Sequence, residues 1–332
     1  MKDPVLTVEG LEVRFQGAAG EIPAVQGASF SVHRGEVLCI VGESGCGKSI
    51  TSLSVMGLLP GSAEAEGHIR FDGRDLLRLN REEIRQIRGN DISMIFQEPM
   101  TSLNPVFTVG FQLMEPLVVH RNLSKKQAFE EAVRLLERVG IPDPGRRMEQ
   151  YPHELSGGMR QRVMIAIALS CEPKLLIADE PTTALDVTIQ AQILELILKL
   201  KEDTGMSVIL ITHDMGVVAE TADRVLVMYA GKVVEEADVR TLFEDPKHPY
   251  TKGLLRSMPN VDDDTYTLEA IPGTLPKPGE IQQGCPFHPR CPEAMDRCRE
   301  ENPRVFTHRP GHMSRCWLAE EEDQDHAGES VG

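Results

Sequence analysis

A chain of 332 residues with 41% hydrophobic and 26% charged side chains has an ordinary globular composition, long enough for more than one compact unit and too apolar for a disordered chain. Its net charge of -16 argues against a nonspecific reader of nucleic-acid phosphates and against direct binding to anionic lipid. No apolar run approaches the roughly 20 residues that span a bilayer, and Met1 to Val5 lacks the apolar stretch of a signal peptide, so the chain is expected in the cytosol.

In chain order, Leu6–Phe15, Ala28–Val32 and Gly67–Phe71 alternate or run short between glycine-rich turns, which predicts an antiparallel sheet. Phe15 is either a stacking surface for adenine or an inward strand residue, and the sequence leaves both open. The apolar run Glu36–Val41 feeds Gly42-Glu43-Ser44-Gly45-Cys46-Gly47-Lys48-Ser49. In the pattern Gly-x4-Gly-Lys-Ser the glycines let backbone N–H groups approach a polyphosphate, Lys48 brings charge to its terminal phosphates, and Ser49 is placed to hold Mg2+. Ser49–Leu59 reads as a helix whose positive end faces those phosphates. Cys46 needs only to be small there, since no base stands beside it in sequence.

Further on, Ser93–Gln97, Lys174–Asp179, Ser207–Thr212 and Arg224–Tyr229 are near-continuous apolar runs, the mark of buried parallel strands. Thr188–Lys201 has helical periodicity with Gly205 as its stop, as a crossover helix requires. Residues 98 to 170 contain helical patterns without strands, among them Lys125–Arg138, and predict a helical insert. Val225–Tyr229 and Lys232–Glu235, joined at Ala230-Gly231, predict a hairpin. Transfer of a phosphoryl group from ATP to water needs Mg2+, charge neutralisation and a group that orients or deprotonates the water. Asp179, at the end of an apolar strand, is placed to hold Mg2+ through its shell, and Glu180 is a candidate general base. Ser156 is a plausible N-cap for a helix whose Gly157 and Gly158 expose N–H groups suited to an anion.

From Pro246 onward prolines become frequent, which marks a separate C-terminal region, loop-rich and short of periodic core. It holds Cys285, Cys291, Cys298 and Cys316 in the spacing C-x5-C-x6-C-x17-C. Four thiols so close in a cytosolic chain favour a metal over disulfides, and spacings wider than those of zinc sites favour an iron–sulfur cluster over zinc. Bare thiols remain an alternative, and His288, His308 and His312 are alternative ligands. The acidic stretch 319–332 has no Lys or Arg and predicts disorder.

Leu155-Ser156-Gly157-Gly158-Met159 matches the signature motif of ABC transporters, and with the Gly42–Ser49 loop, Asp179-Glu180, Thr183–Asp186 and His213 it makes the chain resemble their ATP-binding subunits over about 240 residues. Met159 stands where Gln is commonest, a variant of the peptide-import branch. Glu98–Pro105, Pro181–Gln190 and His248–Leu255 resemble the ATP-binding subunits of dipeptide and oligopeptide importers, and nickel importers share much of this pattern. The resemblance implies an α/β fold: a RecA-like P-loop NTPase core with an antiparallel β subdomain and helical insert over 1–245, the insert at about 98–170. A small loop-rich region at 246–318 and an acidic tail at 319–332 follow.

It also implies roles. Gln97 senses Mg2+ and the membrane subunits, Asp186 belongs to a loop crossing a dimer interface, and His213 contacts the γ-phosphate. Two such subunits close head to tail, so that Ser156, Gly157 and Gly158 act on the partner's nucleotide. The implied function is ATP hydrolysis energising peptide import at the cytoplasmic face of the membrane. The implied partners are two membrane permease subunits, a second homologous ATPase and, indirectly, a substrate-binding protein, with no nucleic acid. Importers of this kind carry a [4Fe-4S] cluster at matching cysteines. A soluble ATPase of repair or translation would use the same nucleotide chemistry, but the long coiled-coil insertion of the first and the doubled cassette of the second are missing here.

Overall fold

The computed structural model describes residues 3–17, 20–97, 102–182, 186–258, 271–281 and 283–320. Glu98–Pro105 and Thr183–Asp186 therefore lie partly outside the described residues, and the acidic tail almost wholly so. The chain divides into two compact units, one of Met1–Leu6, Ser31–Glu36 and Arg70–Ile211, the other of Thr7–Phe30, Val37–Ile69 and Thr212–Gly332.

The strands predicted near the start form as β1 (Pro4–Gly17), β2 (Gly20–His33) and β4 (Ala63–Phe71), side by side in the order β2, β1, β4. Two residues between β1 and β2 are too few for a parallel crossover, so the pair is antiparallel. β3 (Val37–Val41), entirely buried, runs parallel to β9 (Arg224–Tyr229), with Leu38 opposite Arg224 and Val41 opposite Val227. β10 (Lys232–Asp238) pairs antiparallel with β9 across Ala230 and Gly231, whose φ of 47° and 79° give the tight two-residue hairpin expected.

In the other unit β6 (Ile92–Ile95), β7 (Leu175–Asp179) and β8 (Ser207–Thr212) are parallel, with Ile92 opposite Leu175 and Leu175 opposite Ser207. Every residue of β7 and β8 is buried, which is why their sequences are uninterrupted by polar alternation. Among the described residues the α-helices of this unit are α2 (Arg81–Ile87), α3 (Val109–Arg121), α4 (Lys125–Arg138), α5 (Pro144–Arg147), α6 (Gly157–Leu169) and α7 (Val187–Thr204). α4 shows how sequence sets such an element. Ser124 and Gln127 form a capping box at its start, and Ala128, Ala132, Leu135 and Leu136 form the buried stripe against α3 and α6. α7 ends at Gly205, with φ 70°, where a side chain would be strained.

The C-terminal region is loop-rich, as expected, and also contributes two short strands. β12 (His312–Ser314) pairs antiparallel with β10, and β11 (Phe306–Arg309) pairs with β12, so the region extends a sheet. Strands of four and three residues are too short for periodicity to show. It also has an apolar core: Tyr229, Tyr250 and Phe287 are almost fully buried, with ring centroids 4.7 to 5.4 Å apart. Each such aromatic removes roughly 150–250 Å2 from water, so the segment is anchored by packing as well as by any metal. α10 (Pro249–Arg256) carries Tyr250 into this cluster, and the single turn α11 (Arg297–Glu300) carries Cys298.

Candidate functional site

The loop Gly42–Ser49 leaves the end of β3 and enters α1 (Lys48–Met56). Its glycines are required by space as well as by φ. At Gly42, φ 150°, a Cβ would lie 2.2 Å from Met228 O; at Gly47, φ 109°, it would lie 2.8 Å from Ala24 O. The loop is thereby pressed against β9 and its following turn. Lys48 is buried, and its Nζ donates to the carbonyls of Gly42 at 2.7 Å and Glu43 at 3.0 Å. It therefore folds back across the loop as a closed nest. No side chain caps α1, because the N-cap is Gly47, and the positive end of the helix is left for an anion. Ser44 and Gly45 are exposed and Ser49 is half-buried. Cys46 is buried, and burial pushes its thiol up despite the nearby Lys48, so it is a packing residue and not a thiolate nucleophile. Phe15 is half-buried on β1, a position compatible with either expectation for it.

Two side chains outside the motif hold this loop. The Tyr250 hydroxyl accepts the Glu43 N–H at 2.9 Å, and the Arg290 guanidinium donates to the Glu43 carboxylate at 2.8 Å. Sequence reasoning missed both. They lie 207 and 247 positions from Glu43, and no local pattern links such partners.

In the other unit, Asp179 ends β7 and is 4% exposed, whereas Glu180 leaves the strand at φ 45° with its N–H donating to Ile211 O at 3.0 Å. A non-glycine residue in the left-handed region at the end of a buried strand is stored strain, of order 1 kcal/mol, that turns the Glu180 side chain out of the strand direction. Gln97 Nε2 donates to Glu180 Oε2 at 3.0 Å, so two residues 83 positions apart meet at one carboxylate. The Mg2+ donors expected from sequence, the Ser49 hydroxyl, the Gln97 amide and the Asp179 carboxylate, are hard oxygen ligands of the kind Mg2+ takes beside substrate phosphates. His213 follows β8, exposed, ahead of α8 (Met215–Thr221), which Asp214 caps.

Ser156 is the N-cap of α6, its Oγ accepting the Met159 N–H at 3.3 Å. Gly157 has open space around it, and a Cβ on Gly158 would already touch Ile189 at 3.4 Å. The start of α6 is thus small and uncovered on one side, as an approaching anion needs. Asp186 caps α7 by accepting the Ile189 N–H at 2.9 Å, a local structural duty in addition to any interface role.

Of the four C-terminal cysteines, three are buried and Cys291 is half-buried. Cys285 N donates to Cys298 O at 2.7 Å. Burial pushes Cys285 up to about 11 and Cys316 up to about 12, and the charges of the neighbouring thiols act in the same direction. Among the described residues no three His, Cys, Asp or Glu side chains converge closely enough for a single metal ion. Four cysteine thiols are the donor type that a cluster held by thiolates takes. The histidines considered as alternative ligands have other partners: His288 Nδ1 meets Cys285 O at 2.9 Å, His308 meets Ser314 at 2.8 Å, and His312 meets buried Glu235 at 2.9 Å.

Comparison with known proteins bears on both regions. The ABC transporter family matches residues 25–183, and the family described as oligopeptide/dipeptide transporter, C-terminal region, matches residues 234–298. The chain is 55% identical over 320 residues to the oligopeptide transport ATP-binding protein AppD of Bacillus subtilis, covering 96% of this chain and 98% of that protein. It is 51% identical over 314 residues to the dipeptide transport ATP-binding protein DppD of Escherichia coli, covering 94% and 96%. Among solved structures, the dimeric post-hydrolysis ATP-binding cassette MJ0796 bound to ADP and Pi aligns with TM-score 0.63 at 28% identity, over 71% of this chain and 99% of that one. The cassette cbiO1 of Clostridium perfringens aligns with TM-score 0.61 at 30% identity, over 74% and 92%. Among the described residues no helix is long and apolar enough to cross a membrane.

Proposed function

The chain belongs to the ATP-binding subunits of the oligopeptide and dipeptide ABC transporters, and from that premise we propose that it hydrolyses ATP to energise import of dipeptides or oligopeptides through membrane permease subunits. The observation that carries the peptide assignment is full-length similarity to peptide transport ATPases that extends through the C-terminal region. Domain bounds follow the sequence reading: an ATP-binding domain at 1–245 with its helical part at about 98–170, a C-terminal region at 246–318, and an acidic tail.

In this reading the Gly42–Ser49 backbone and Lys48 bind the phosphates, and Phe15 supports the base. Ser49, Gln97 and Asp179 hold Mg2+, which supplies neutralisation of the charge developing on the phosphoryl oxygens. Glu180 accepts the proton of the attacking water, Gln97 keeps that carboxylate oriented, and His213 contacts the γ-phosphate. Ser156, Gly157 and Gly158 present their helix end to the nucleotide of a second, homologous ATPase subunit, and Asp186 sits at the interface between the two. The chain works at the cytoplasmic face of the membrane, held there by two permease subunits, with a substrate-binding protein delivering the peptide. Affinity purification of the chain from membranes tests this assembly. Two membrane subunits and a second ATPase should accompany it, and recovery of the chain alone from the soluble fraction would refute it.

Cys285, Cys291, Cys298 and Cys316 are proposed to ligate a [4Fe-4S] cluster. The four-thiol donor set, with three of the cysteines buried, supports it. The cluster would staple together a proline-rich segment already anchored by Phe287.

A further inference from the structure

The C-terminal region reaches the phosphate-binding loop through Tyr250, at the Glu43 N–H, and through Arg290, which brings a charge to the Glu43 carboxylate. Arg290 lies between Cys285 and Cys291, at the end of a single 3-10 turn over His288–Arg290, and its side chain is only 7% exposed. Every arm of its guanidinium is used. Nε donates to Pro272 O at 2.8 Å, Nη2 to Ile271 O at 3.4 Å, and Nη1 to the Glu43 carboxylate at 2.8 Å and the Tyr229 hydroxyl at 3.3 Å. A buried guanidinium fixed at this many points has one available position, and a charge so buried needs its counter-charge.

Glu43 is the second residue of the loop that must receive a polyanion. Its carboxylate is 28% exposed and held beside the loop by the Arg290 guanidinium at 2.8 Å. Left unpaired, that carboxylate would repel phosphates within a Debye length of about 8 Å. Between them, Lys48 and Arg290 outnumber Glu43; without Arg290 the charges of Lys48 and Glu43 cancel. The same contact, together with the Tyr250 hydroxyl on the Glu43 N–H, fixes the opening turn of the loop from outside.

We propose that Arg290 is a positioning residue for the nucleotide: by neutralising Glu43 and fixing the first turn of the phosphate loop it sets the affinity of this chain for nucleoside polyphosphates, giving the cysteine-containing region direct control over the ATP site of its own chain. The proposal rests on the ATP-binding reading and adds to it a determinant that lies outside the sequence motifs.

The test is calorimetric titration of Mg2+–ADP into the full-length chain. Arg290→Met should weaken binding about tenfold, the size expected for loss of a hydrogen-bonded charge pair. Arg290→Lys keeps the charge but not the forked donors, and its loss should fall between wild type and Arg290→Met. The decisive variant is the double substitution Arg290→Met with Glu43→Gln. Removing the stranded carboxylate should recover most of the lost affinity, although the double variant has fewer contacts than either single one. A purely structural role for Arg290 would leave the double variant as weak as Arg290→Met, and that result, or unchanged affinity in Arg290→Met itself, overturns the proposal. A wild-type chain that does not bind Mg2+–ADP would remove the ATP-binding reading as well, so the two failures are distinguishable.

Discussion

Gln97 Nε2 donates a hydrogen bond to Glu180 Oε2 at 3.0 Å, and Glu180 occupies a left-handed backbone conformation at φ 45°. The carboxylate proposed as general base is therefore aimed by its backbone and held by a neutral amide that leaves its charge intact. Gln97→Ala removes this contact together with the amide proposed for Mg2+, and should lower phosphate release at saturating ATP by at least roughly tenfold, short of the loss expected from removing the base itself. A rate unchanged by Gln97→Ala would mean that the contact has no part in turnover.

Gly42→Ala tests the loop without touching any charged group. The added Cβ would lie 2.2 Å from Met228 O, in a backbone conformation that alanine rarely adopts. The loop must shift away from β9, and Mg2+–ADP affinity should fall by more than tenfold while helix content by circular dichroism is retained. Near wild-type binding would show that the loop is not held as the structure has it.

Acid sensitivity should arise in the C-terminal part of the sheet. Burial holds the His248 imidazole down at about 4, with Glu235 opposing and Lys252 assisting, while the unfolded chain takes up that proton near 6.5. The stabilisation from keeping His248 neutral is complete above about 6.5 and is lost as pH falls from there towards about 4, at up to about 1.4 kcal/mol per pH unit. Glu235 acts lower. Burial would raise its carboxyl, but hydrogen bonds from His312 and the backbone of Lys247 and His248 outweigh this and hold it below 4.5, so its contribution is lost only as pH falls beneath that value. His248→Asn keeps a side-chain acceptor for the Tyr250 N–H and should flatten the dependence of the urea midpoint between pH 6.5 and 5.

Much of this was legible in the sequence because its signals are local. Residues 174–179 and 207–212 read as buried strands since both faces are covered, Lys125–Arg138 reads as a helix from its periodicity, and Ala230-Gly231 announces a hairpin. The phosphate loop is legible because its chemistry fits in eight consecutive residues. What was not legible is long-range pairing. Nothing near Glu43 points to Arg290 or Tyr250, and nothing in the short segments Phe306–Arg309 and His312–Ser314 shows that they extend the sheet beside Glu235. The C-terminal region looked coreless because its aromatic anchors, Tyr250 and Phe287, are far apart in sequence and pack on Tyr229 of an earlier strand.

The cysteine proposal predicts a composition. Chain purified without oxygen should contain about four iron and four sulfide per molecule, and Cys298→Ser should lower both together. Absence of both elements from the anaerobic protein would remove the cluster. The aromatic contacts of Phe287 should keep the region folded in either case, with Phe287→Ala costing roughly 3–5 kcal/mol.

The most direct measurement of the central claim is ATP hydrolysis by this chain assembled with its membrane subunits in proteoliposomes, with peptide and substrate-binding protein supplied. Hydrolysis and peptide uptake should rise together, and Glu180→Gln should lower both by a factor of at least about 100 while Mg2+–ADP binding persists. Hydrolysis at the wild-type rate in Glu180→Gln, or peptide uptake that proceeds without it, would contradict the account.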